Sequence, residues 1–201
     1  MTEEFTQARS KALEALSRIF DGDVDLLVDL RADEEGLRAL AESVDVDPET
    51  LLVEASREEL KRSHDALFAV PGKRYVPPYA SSHLSEPPED APPSPSAFAR
   101  ADGGRLGGEP AQRSRAVYSR FGFSPSRGDG MPDHIAAQLE FAARVDATVP
   151  ADDPAREEAF RLLGWLEAFG TTVSQRDQLG VFTGLTALTA ATVDSEHATV
   201  D

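Results

Sequence analysis

The sequence predicts an all-α fold, a single-domain multi-helix bundle over residues 1–201. Apolar residues recur at spacings of three and four in stretch after stretch, the signature of a helix with one buried face. No segment sustains period-two alternation with β-branched enrichment, so strands are not expected. The apolar stretches are bounded by Asp, Ser, Asp-Pro and Gly, the residues that start and stop helices. A chain of 201 residues is long enough to bury a full core.

Taken in order, Phe5, Ala8, Ala12, Leu13, Leu16, Ile19 and Phe20 form one apolar stripe that Asp21-Gly22 stops. Shorter helices are expected at Val24 to Leu30 and Glu34 to Val44, before Asp47-Pro48 offers a cap followed by a first-turn proline. Ser56 and Glu59 have capping-box spacing, and Leu60, Leu67 and Phe68 give the buried stripe of the next helix, which Pro71-Gly72 ends. Eight of the fourteen prolines lie between Pro71 and Pro95, so regular structure is sparse there, with a flexible Pro/Gly-rich segment expected at about 85–108. A helix carrying Ala116, Val117, Tyr118 and Phe121 follows, then a loop from Gly122 to Met131. Pro132-Asp133 is read as the start of the next helix, with Asp133 as its cap. Asp153-Pro154 caps another, with Phe160, Leu163, Leu166 and Phe169 buried and Trp165 beside them. The last helix, Gln175 to Asp194, is apolar on most sides and belongs at the centre of a bundle.

Composition narrows the function. The chain has no cysteine, which removes disulfides, thiol nucleophiles and thiolate-held clusters, and no set of side chains has metal-ligand spacing. Thirty-six acidic residues against twenty basic ones give a net charge of −16, which argues against nucleic-acid phosphates as a partner. Only Lys11, Lys61 and Lys73 are lysines, and many carboxylates with few lysines resemble halophile proteins, whose acidic surface holds water in concentrated salt. The acidic N-terminus lacks an export signal's basic and apolar regions, and the apolar segment from Leu179 to Val193 is too short to span a bilayer. A cytoplasmic protein without membrane insertion is the expectation.

The chemistry concentrates after Pro132. At 100° per residue, Ile135, Leu139, Ala142 and Val145 share one side with Phe141 at its margin, while Asp133 and Glu140 share the opposite side. His134 and Gln138 fall at the edge of the apolar arc, where a polar group needs a partner. A lined groove is one reading; a capping aspartate beside a satisfied, half-buried histidine is the other. Adjacent helical residues point about 100° apart, and no GxxxxGK[ST] loop exists, so an Asp133/His134 nucleotide hydrolase is the weakest alternative.

Three segments resemble the TorD/DmsD/NarJ-like redox-enzyme maturation chaperones. Leu67-Phe68, Val70-Pro71-Gly72 and Val76-Pro77-Pro78-Tyr79-Ala80-Ser81-Ser82-His83-Leu84 are similar to that family's helix end and PPYES turn. Tyr118 with Gly122-Phe123 precedes Pro132-Asp133-His134-Ile135 and Leu139-Glu140-Phe141, similar to its pDHxxxELEF signature. Phe160, Trp165 and Phe169, with Phe182 to Leu188, resemble its C-terminal helix pair. The chain departs from the pattern at His64, Ala80, Gln138 and Arg161.

The resemblance implies a TorD-like helical bundle that uses no cofactor and performs no catalysis. It implies binding of the N-terminal twin-arginine leader of a molybdopterin oxidoreductase, whose precursor is held until its cofactor is inserted, or NarJ-type assembly of a non-exported nitrate reductase subunit. The residues it implies for peptide binding are Asp133, His134, Gln138, Glu140, Phe141, Tyr118, Tyr79 and Pro78, with the two tyrosines as anchors. A monomer or a domain-swapped dimer is expected.

Overall fold

A computed structural model describes residues 3–84, 108–150 and 152–195. The segment expected to be flexible, about 85–108, lies almost wholly outside the described residues. Helix α1 spans Glu3–Phe20 and ends where Gly22 adopts φ +104°, a left-handed turn that a glycine enters without a Cβ penalty. Helices α2, Val24–Ala32, and α3, Glu34–Ser43, follow, capped by the Asp23 and Asp33 carboxylates. Asp47-Pro48 initiates only a single 3₁₀ turn, Pro48–Thr50. The capping box forms as predicted at the start of α4, Arg57–His64: the Glu59 amide donates to Ser56 Oγ and the Ser56 amide to Glu59. A π turn, Asp65–Ala69, closes this helix.

Then come α5, Ser81–Leu84; α6, Glu109–Arg120; α7, Ile135–Thr148; α8, Pro154–Arg161; α9, Leu166–Ser174; and α10, Val181–Asp194. Among the described residues the extended pairing is an isolated antiparallel bridge, Tyr79 with His134. The all-α expectation is met. No described helix is long and apolar enough to cross a membrane.

The axis of the fold is α1 packed antiparallel on α7. Ser10 Oγ donates to the Ala143 carbonyl at 2.9 Å and Ser17 Oγ to the Ala136 carbonyl at 2.7 Å, so small residues on both helices let the backbones approach. Around this pair Leu13, Ile19, Leu139, Val181 and Phe182 are fully buried, and Phe20, Phe68, Phe169 and Phe182 meet edge-on or tilted with His64 among them. A smaller cluster, Tyr118, Phe121, Phe123 and Phe141, closes the other side of α7. Asp146, 2% exposed, accepts from Arg9 Nε at 3.2 Å and from the Arg156 guanidinium, so α1, α7 and α8 are tied by a charge cluster inside the apolar packing.

The structure corrects three sequence expectations. The helix after Asp153 breaks at Leu162–Trp165, where Leu163, Gly164 and Leu166 donate to carbonyls three residues back, and α9 begins at Leu166. The last helix starts at Val181 and not Gln175: Gly180 takes φ +83°, and Asp177 accepts from the Leu179 and Thr183 amides. Finally, the cap of α7 is His134 rather than Asp133, because the Asp133 carboxylate is drawn to another part of the chain.

Candidate functional site

The start of α7 is a joint between two distant segments. Pro78 presents its carbonyl to the Ile135 amide at 2.9 Å, and the Ala80 amide donates to the Asp133 carbonyl at 2.9 Å. Asp133 Oδ2 accepts from the Ser81 amide at 3.1 Å, while Oδ1, equally buried, has no hydrogen-bond partner among the described residues. His134 Nδ1 accepts from the Ala136 amide at 3.1 Å, which places the ring proton on Nε2. Burial pushes the His134 imidazolium down to about 4, against the smaller opposing pull of Asp129 and Asp133, so the ring is neutral at pH 7. Asp133 and His134 bond separate backbone amides and are not aligned on one another as an acid–base pair.

Gln138 is consumed inside the bundle. Its Oε1 accepts from Trp165 Nε1 at 2.7 Å and its Nε2 donates to Ser114 Oγ at 3.0 Å, joining α6, α7 and the turn before α9. His83 stacks on Trp165 with ring centroids 5.2 Å apart and donates from Nε2 to the Pro77 carbonyl; burial lowers its pKa as well. Tyr118 donates its hydroxyl to the Pro132 carbonyl at 2.7 Å, and burial raises its pKa. Phe141 is fully buried against Tyr118 and Phe123. Tyr79 is half-buried with its ring edge-on to His134. Glu140 is partly exposed, accepting from the Ser126 amide and hydroxyl, with Arg127 3.7 Å away.

This corrects the expectation of an open groove lined by His134, Gln138 and Phe141. At 8%, 1% and 0% exposure their surfaces are spent on the bundle's own packing: the loop carrying Pro78, Tyr79 and Ala80 lies against His134, Ser114 and Trp165 take up Gln138, and Tyr118, Phe121 and Phe123 cover Phe141. Of the eight predicted residues, Tyr79 and Glu140 retain outward surface. Sequence reasoning missed Ser81, Ser114, Trp165 as a donor, and Gly128. Gly128 adopts φ +73°, and a Cβ there would stand 2.6 Å from His134 Cβ, so glycine lets the loop lie against the histidine. The signal available is the glycine pair flanking Asp129.

A cleft of about 220 Å³ lies elsewhere, between α1, α2, α3 and α10: of its aliphatic lining Ala8, Ala15, Leu30 and Leu40 are at least partly exposed, while Leu16, Ile19, Leu27, Leu37, Leu185 and Leu188 are buried. Lys11 and Arg31 stand at its edge, Arg31 donating to the Leu51, Val53 and Ala55 carbonyls.

A joint of Pro-Pro-Tyr to Asp-His across an all-helical bundle is consistent with the family suggested by the motifs, and comparison with known proteins decides it. The family model described as nitrate reductase delta subunit matches residues 29–175, well over half of the chain. The chain belongs to this TorD/NarJ-like family. It is also similar to the chaperone protein TorD of Vibrio cholerae serotype O1 (strain M66-2), 28% identical over 119 residues, a match covering 53% of this chain and 54% of that protein. The chain thus spans about half the length of this relative. The family match takes in the Pro77-Pro78-Tyr79 loop, the Asp133-His134 joint and Trp165, the residues that lock together around the head of α7.

Proposed function

We propose that this protein is a maturation chaperone for a molybdopterin oxidoreductase: it binds an N-terminal segment of the precursor, holds it while the cofactor is inserted, and releases it for export without making or breaking a covalent bond. Family membership supports the chaperone role. The observation that carries the binding mode is the aliphatic cleft between α1, α2, α3 and α10, which matches the apolar stretch of a leader. Burying about 200 Å² of apolar leader surface contributes roughly 5 kcal/mol. That offsets the ~2–5 kcal/mol spent in ordering a disordered segment. Asp133, His134, Gln138, Phe141, Tyr118 and Pro78 then act by fixing the loop from Pro77 to Leu84 and the head of α7, while Tyr79 and Glu140 keep outward surface away from the lining of this cleft.

The cleft's charged rim is basic, Lys11 and Arg31, so recognition rests on the leader's apolar stretch more than on its arginines. This also favours a second reading, NarJ-type binding of a reductase segment without an arginine pair. Calorimetry with synthetic leaders separates the readings. Leu→Ser changes in the apolar stretch are expected to weaken binding more than Arg→Lys changes; the reverse order rejects the cleft as the main determinant.

A further inference from the structure

A second cleft lies on the other flank of α1. It encloses about 490 Å³ between α1, α7 and the loop after α6, and it shares Lys11 and Ala15 with the aliphatic cleft, so the two meet across one ridge of α1. Its chemistry is different. Lys11, Arg18 and Arg144 bring cationic groups to it, and Phe123 supplies an aromatic wall against which Arg144 lies, 5.8 Å from the ring centroid.

The two carboxylates lining this cleft are already engaged. Glu14 pairs with Arg127 at 2.6 Å, and Glu140 caps Ser126 with Arg127 3.7 Å away. Arg18 pairs with Asp23 at an exposed contact, while Lys11 and Arg144 have no ion-pair partner among the described residues. In a chain of net charge −16, the lining of this cleft carries three cations against two carboxylates, and two of those cations, beside an aromatic ring, are uncommitted.

We propose that this cleft is a second binding surface that takes a carboxylate-bearing stretch of the client polypeptide, an Asp or Glu next to the apolar stretch seated in the neighbouring cleft. The inference rests on the chaperone reading above. Charge complementarity selects the occupant: in a chain of net charge −16, Arg144, braced on Phe123, and Lys11 can here donate charge-assisted hydrogen bonds to an acidic segment. A client segment is thereby read in two parts, apolar on one flank of α1 and anionic on the other, which sets its direction along the helix.

The test uses the full chain and two soluble Leu-, Ala- and Gln-containing peptides, identical except that one ends in two aspartates and the other in two asparagines. In dilute buffer the aspartate peptide is expected to bind about ten-fold more tightly. Arg144→Gln and Lys11→Gln, both at exposed positions without an ion-pair partner among the described residues, should each reduce that advantage, and the double variant should abolish it, while the asparagine peptide's affinity and the unfolding temperature stay unchanged. Equal binding of both peptides, or an aspartate preference that survives in the double variant, overturns the second surface and leaves the chaperone reading intact. Failure of either peptide to bind overturns the chaperone reading's cleft, and this inference with it.

Discussion

Replacing His134 by Asn should flatten the acid limb of the stability profile. In the folded chain burial holds the His134 imidazolium at about 4, whereas an unfolded histidine titrates near 6.5. Between those values the unfolded chain binds a proton that the folded chain does not, so stability falls as pH drops from 6.5 and the loss is complete below about 4. The full difference is worth about 3 kcal/mol. Asn can accept the Ala136 amide in place of Nδ1, which keeps the helix cap while removing the titration. The assay is urea unfolding of both proteins at a series of pH values from 7.5 to about 4, the remaining buried histidines His64 and His83 contributing equally to each. The wild-type chain should lose about 3 kcal/mol more than the His134→Asn variant across this range. Parallel profiles would refute the placement of His134 as a buried neutral cap.

Other substitutions probe the remaining joints of the bundle. Asp146→Ala leaves Arg9 and Arg156 without their shared buried carboxylate and should cost about 3–5 kcal/mol in denaturant unfolding. Gly128→Ala combines φ +73° with a Cβ 2.6 Å from His134 Cβ; a loss of about 2 kcal/mol is expected, and an unchanged unfolding midpoint would contradict it. Trp165→Phe removes the donor to Gln138 Oε1 and should destabilise by about 1–3 kcal/mol, a cost that Gln138→Leu in the same chain should partly relieve. If the acidic surface serves hydration in concentrated salt, the unfolding temperature should rise in molar KCl, where self-repulsion of the −16 charge is screened; no gain would remove that reading.

The elements legible in the sequence are those decided locally. The stripe of α1 and the Ser56/Glu59 box are written in neighbouring residues: the box forms, and Ala12, Leu13, Leu16, Ile19 and Phe20 are buried as expected, while Ala8 is exposed and the Phe5 side chain lies outside the described residues. The break before α9 is not legible, because Phe160, Leu163, Leu166 and Phe169 keep helical spacing through Gly164 while the backbone turns. The cap of α7 escapes a local reading because Asp133 and His134 are both competent acceptors, and the choice is made by Ser81, far away in sequence. For the same reason the burial of Gln138 cannot be read from the helix alone: its partners Ser114 and Trp165 arrive from α6 and from the turn before α9. The aliphatic cleft belongs to no motif, being the gap that four helices leave between them.

The most direct test of the account is binding of a synthetic leader, an arginine pair followed by a Leu/Ala stretch, to the wild-type chain and to Ala8→Trp, which plugs the aliphatic cleft from an exposed position on α1. The account predicts a saturable isotherm for the wild type and its loss in the variant, with the unfolding temperature unchanged. Undiminished binding to Ala8→Trp would contradict it.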